Sequence, residues 1–226
     1  MGMINAPRKL IVIGDSGVYG WGDRYEGGWC ERLRRNWMST PNAPVVYPLG
    51  IRGDGLEKVA RRWKHEWHLR GELRRKYPEG LLLSVGLNDA ARIGRLDGRF
   101  QLTKEAYLFG LKQLINEIKK ETEVLVLGLT PVDEELMPYA GCLWYSNEAI
   151  SEYEAQIEEA CLETNVPFLS IHKAMLEEPH WRTWIEPDGI HLNSDGHYWI
   201  YKRVLGWPAL LKWANLEVIM ETSHVN

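Results

Sequence analysis

Five short apolar runs, at 10–13, 45–49, 81–85, 124–127 and 166–171, punctuate the chain. Runs of this length, bounded by polar or turn residues, fit strands buried on both faces. The stretches between them change period. Leu56, Val59, Ala60, Trp63 and Trp67 recur at helical spacing after the second run, and Tyr107, Leu108, Leu111, Leu114, Ile115 and Ile118 after the third. Ile150, Tyr153, Ile157, Ala160 and Cys161 do so after the fourth. An apolar side of this kind makes a helix that must pack on something. Strand, helix, strand in repetition predicts an α/β chain with a five-stranded parallel sheet, because right-handed crossovers lay helices over both faces. In such sheets ligands bind beyond the carboxyl ends of the strands.

Two chemically capable strings sit at opposite ends of the chain. Gly14-Asp15-Ser16 follows the first run, and Asp188-Gly189-Ile190-His191 lies near the C-terminus. A serine hydroxyl is a weak nucleophile unless an imidazole takes its proton and a carboxylate fixes the imidazole tautomer. Ser16, His191 and Asp188 supply those three groups. Asp188 and His191 are close enough for one turn to present both. Gly189 gives that turn backbone freedom, and Glu186-Pro187 before it disfavours a continuing helix. Acyl transfer also needs donors for the oxyanion. The N–H groups of Ser16 and Gly53 and the amide of Asn88, within Gly86-Leu87-Asn88-Asp89, stand at suitable places.

With Ser16, Gly53, Asn88 and His191 in this order, the chain resembles the SGNH hydrolases, also called the GDSL esterase and lipase family, over nearly its whole length. The resemblance implies a flavodoxin-like three-layer α/β/α fold and hydrolysis of esters or thioesters through an acyl-serine. It makes Ser16, Asp188 and His191 the triad, and Gly53 and Asn88 oxyanion donors beside the Ser16 N–H. Gly17 departs from the family pattern, which usually has leucine there, so substrate preference is less defined than chemistry. Singly, each motif also reads as turn chemistry or a helix start; their coincidence in order favours catalysis. Asp15 and Asp89 read as local hydrogen-bonding residues.

The length fits a single domain spanning 1–226 that needs no disulfide or metal staple. A formal net charge of -4 with interspersed signs argues against nucleic acid as a partner. The basic stretch from Arg61 to Lys76 is diluted by Glu66 and Glu72. Cys30, Cys142 and Cys161 form no metal or disulfide pattern and read as free buried thiols. No apolar run is long enough for a signal core or a membrane span, so a cytoplasmic protein without stable membrane insertion is expected. The apolar tail, including Leu210, Leu211, Trp213, Leu216, Val218 and Ile219, packs on the domain or on another subunit; oligomeric state is open.

His65 and His68 are three apart rather than four and read as a solvated face, not a zinc motif. No cofactor or metal is expected. Trp37, Trp63 and Trp67 sit at core spacing, whereas Trp21, Trp144, Tyr145, Trp181 and Trp184 lie in loop-like segments and are candidate pocket walls. Arg52, Arg92 and Arg95 are candidates for an anionic substrate group or for plain surface. The leading expectation is a serine esterase for a small-molecule short-acyl or acetyl ester. Lysophospholipase, thioesterase or acyltransferase chemistry fits the same residues. A metal-dependent phosphoesterase using Asp15, Asn88, Asp188 and His191, or a non-catalytic binding module, are the remaining alternatives.

Overall fold

The computed structural model describes residues 7–71 and 76–216. Its strands are β1 (Lys9–Gly14), β2 (Val45–Gly50), β3 (Gly80–Ser84), β4 (Arg92–Ile93), β5 (Glu123–Leu127), β6 (Leu143–Trp144) and β7 (Phe168–Leu169). Its helices are α1 (Ser16–Tyr19), α2 (Gly28–Met38), α3 (Leu56–Leu69), α4 (Lys104–Ile118), α5 (Asn147–Thr164), α6 (His172–Leu176), α7 (Ser194–Leu205) and α8 (Pro208–Ala214). All five apolar runs lie in one parallel sheet of order β2-β1-β3-β5-β7.

Alternation along the strands builds two cores. Leu10, Val12, Leu82, Leu125 and Leu127 pack with α2, α7 and α8 on one face of the sheet. Ile11, Ile13, Leu81, Leu83, Val124 and Val126 pack with α3, α4 and α5 on the other. The three expected helical stripes are buried there, Trp63 and Trp67 among them. Each fully buried aliphatic side chain contributes about 1.5–3 kcal/mol, so the central strands are fixed by burial from both sides. Helix starts are set locally: Thr103 Oγ1 accepts from the Ala106 N–H at α4, and Ser146 Oγ from the Ala149 N–H at α5. Such caps are worth about 1 kcal/mol.

From β1 the chain crosses to β2 at the edge, then returns past β1 to β3. The reversal lies between β1 and β3, where Gly14 is in register with Ser84. A crevice at such a switch point is the expected ligand position, and both Ser16 and the 86–89 string leave the sheet there.

The structure amends the sequence reading at several points. The long connections at 86–103 and 129–145 contain β4 and β6, which pair antiparallel with each other. Helix α2 has no counterpart among the three stripes, although Trp37 belongs to it. Cys30 and Cys161 are buried, but Cys142 is exposed because the β4–β6 ribbon carries it outward. In the tail, Leu210, Trp213 and Leu216 pack into the chain's own core; Val218 and Ile219 lie outside the described residues, as does Glu72 in the basic stretch. Among the described residues no helix is long and apolar enough to cross a membrane.

Candidate active site

Strand β1 ends one residue before Asp15, whose Oδ1 accepts the Gly17 N–H at 2.9 Å and caps α1. Ser16 is therefore the first residue of that helix and is buried. The opposite wall is the turn at 188–191. Gly189 takes φ +82°, a left-handed conformation costly for other residues. The Glu186 N–H donates to the His191 carbonyl at 2.7 Å and closes the turn. Asp188 Oδ1 accepts the N–H groups of Ile190 and His191 at 3.1 and 3.0 Å. Its Oδ2 lies 2.6 Å from His191 Nδ1, and His191 Nε2 lies 2.9 Å from Ser16 Oγ. Burial raises the Asp188 pKa, but hydrogen bonds from the His191 ring and the two N–H groups outweigh it and hold the carboxyl below its ordinary range. An ionised Asp188 accepts the Nδ1 proton, leaving the Nε2 lone pair for the serine O–H.

Two of the expected oxyanion donors are open. The N–H groups of Ser16 and Gly53 have no hydrogen-bond acceptor among the described residues. Gly53 takes φ +74°, and a Cβ added there would meet nothing within 4 Å; glycine is required for the conformation, and its face is clear for a ligand. Asn88 is already occupied. Its Nδ2 donates to the Asp54 carbonyl at 3.0 Å and to Asp15 Oδ2 at 3.3 Å. To serve an oxyanion, the amide must relinquish the longer bond, to Asp15.

Asp15 and Asp89 are both buried; Asp15 hydrogen-bonds locally to the Gly17 N–H, whereas Asp89 reaches a distant part of the chain. Asp89 accepts the Leu56 N–H through both oxygens, at 3.1 and 3.0 Å, at the start of α3. Burial is the largest cause of both their shifts, pushing Asp15 up to about 6 and Asp89 up to about 7 against the pull of those N–H groups. Between pH 3.8 and about 6 the folded chain thus holds a proton on Asp15 that the unfolded chain has lost, and stability falls as pH rises through that window. Asp15→Asn removes this titration. From about pH 4 to about pH 7 the variant should gain on the wild type by up to about 3 kcal/mol, whatever its offset at pH 4. Urea denaturation of both proteins at the two pH values reads this, and a pH-independent difference would refute it.

A cavity of about 40 Å³ adjoins Ser16 and His191, walled by Trp21, Trp29, Leu129, His197 and Ile200. A second hollow, about 400 Å³, lies along Tyr19, Trp21, Arg24, Glu186 and Asp188. Of the aromatic candidates, Trp21 lines both and meets the His191 ring edge-on at 6.2 Å. Trp144 and Trp184 line neither. Trp144 sits in β6 opposite Arg92, and Trp184 packs on Trp199 of α7 at 5.8 Å, so both are held by the scaffold. Trp181 and Tyr145 are buried. The sequence reading missed Tyr139, whose ring stands 5.9 Å from that of His191, and His197. His197 Nδ1 accepts the Trp29 N–H at 3.3 Å, so its Nε2 carries the proton donated to the Trp21 carbonyl at 3.1 Å. Burial pulls its pKa down to about 4, which suits this neutral form. Its partners lie far away in sequence, so no local signal marks it. His65 and His68 are exposed on α3.

Residues 12–199 match the model of the GDSL-like lipase/acylhydrolase family. No curated protein matches the chain in sequence. Solved structures similar to it include a lipase/acylhydrolase from Enterococcus faecalis, with TM-score 0.69 and 22% identity over 88% of this chain and 96% of that one. The acetylxylan esterase Axe2 from Geobacillus stearothermophilus gives TM-score 0.68 and 18% identity over 89% and 94%. The psychrotrophic esterase EstA from Pseudoalteromonas sp. gives 0.67 and 15% over 92% and 99%. At these identities the likeness is one of fold.

Proposed function

The chain belongs to the GDSL-like lipase/acylhydrolase family and is an ester-hydrolysing enzyme, and from that premise we propose that it is a serine esterase for acetyl and other short-acyl carboxylic esters. The observation that carries this reading is the continuous hydrogen-bonded line from Ser16 Oγ through His191 to Asp188, at 2.9 and 2.6 Å. His191 Nε2 takes the serine proton as Oγ bonds to the carbonyl carbon, and Asp188 stabilises the imidazolium. The oxyanion faces the N–H groups of Ser16 and Gly53, joined by the Asn88 amide as it leaves Asp15. When the ester C–O bond breaks, His191 returns its proton to the departing alcohol. Water, deprotonated by the same imidazole, then cleaves acyl-Ser16 to the free acid.

The preference for short acyl groups is supported by the 40 Å³ cavity beside Ser16. The similar fold of an acetylxylan esterase agrees with that size. The test is intact-mass analysis after exposure to a serine-reactive fluorophosphonate. One adduct on the wild type and none on Ser16→Ala is the expected result. A folded wild type that takes no adduct while small esters still turn over would remove Ser16 from the mechanism.

A further inference from the structure

Three arginines were candidates for an anionic substrate group, and two are committed elsewhere. Arg92 donates to the Gly98 carbonyl at 2.8 Å and covers Phe100, and Arg95 pairs with Asp97 at 2.9 Å. Arg52 differs from both. It is exposed and has no carboxylate partner among the described residues, and its guanidinium carbon lies 3.4 Å from the centroid of the Trp21 ring. At that distance the guanidinium rests against the indole, and its N–H groups, with no acceptor among the described residues, can serve a planar, two-oxygen acceptor. The nearby acids are engaged: Asp54 is buried against Arg62 at 2.8 Å, and Glu57 stands 3.9 Å from Arg61. A second cation stands near: Lys58 Nζ donates to the Gly53 carbonyl at 3.0 Å and lies 3.9 Å from Asp54 Oδ1, its side chain largely exposed, so Asp54 offsets part of its charge.

Trp21 stands between Arg52 and His191, with one ring contact to each. We propose that Arg52, presented on Trp21 and assisted by Lys58, forms a subsite for an anionic oxygen group, a carboxylate or phosphate, on the alcohol part of the ester. This rests on the serine-esterase reading, because His191 must protonate the leaving alcohol and so fixes the side on which that alcohol lies. Arg52 would then select acidic alcohols by charge-assisted, two-pronged hydrogen bonding next to the open face of Gly53.

Three aryl acetates matched in shape test it: methyl 4-acetoxybenzoate, neutral; 4-acetoxybenzoate, a carboxylate; and 4-acetoxyphenyl phosphate. The readout is each anionic ester's kcat/KM relative to that of the neutral ester, compared between wild type and variants so that intrinsic leaving-group reactivity cancels. Arg52→Gln should lower at least one of these ratios about tenfold at low salt, and Arg52→Lys should recover part of the loss. The ester with the larger drop identifies the group. About 0.5 M sodium chloride should bring the wild-type ratio towards that of Arg52→Gln, as screening requires. Equal ratios in all three proteins, with the neutral ester turned over, would overturn the subsite alone. Folded wild type that hydrolyses none of the three would overturn the esterase reading and the subsite with it.

Discussion

Ser16→Ala and His191→Ala should each lower kcat on an acetyl ester by about 10⁴ to 10⁶, and the double variant should fall no further. The reason is the single 2.9 Å contact between Ser16 Oγ and His191 Nε2. Without the imidazole the hydroxyl keeps its proton, and without the hydroxyl the imidazole has no nucleophile to deprotonate, so either loss disables the same step. The remaining rate should come from binding and from the N–H groups of Ser16 and Gly53, which neither substitution removes. Steady-state kinetics on the three variants, with circular dichroism to verify folding, decides the matter. A double variant that falls by the product of the two single effects would mean that the residues act independently.

Much of the fold was legible because burial on both faces leaves a local mark. The runs at 10–13 and 81–85 read as strands without knowledge of their neighbours, and the Trp63–Trp67 spacing marked α3. Two-residue strands leave no such mark: β4 and β6 have no period, and they exist because Arg92 meets Trp144 in the fold. Site residues divide in the same way. Ser16, Asp188 and His191, which the fold brings into one hydrogen-bonded line, lie in short strings whose chemistry is local to each string. Tyr139 and His197 were missed since their roles depend on what the fold brings opposite them. Trp184 shows the converse, because a tryptophan close in sequence to the 188–191 string packs on Trp199 of the helix behind it. Arg52 stands in the sequence beside Arg92 and Arg95 as a substrate-binding candidate, and in the fold its lack of a carboxylate partner among the described residues separates it from Arg95.

The same distinction governs Arg62, which looks in the sequence like one more cation on the exposed side of α3. Its side chain is instead mostly buried. Nε donates to Asp54 Oδ2 at 2.8 Å, and Nη2 donates to the carbonyls of Gly14 and Leu49 at 2.8 and 3.0 Å. One guanidinium thus ties the end of β1, two residues before Ser16, to the end of β2 and to the residue after Gly53. Asp54 passes the connection on, since its carbonyl accepts from Asn88. Arg62→Met should cost about 3 kcal/mol, because Asp54 would remain buried with only the exposed Lys58 ammonium, 3.9 Å from its Oδ1, as counter-charge. At this chain length that is about 10 °C in Tm. Arg62→Lys should restore only part of it, as an ammonium cannot span a carboxylate and two carbonyls in one plane. Loosening the 51–55 loop should also lower kcat, with KM for a small neutral ester nearly unchanged, because in the proposed mechanism the Gly53 N–H serves the oxyanion and not the bound ester. Denaturant midpoints and steady-state kinetics on the folded variants measure both effects. A large loss of stability with unchanged kcat would separate the anchor from the chemistry and leave Gly53 positioned by its own backbone turn.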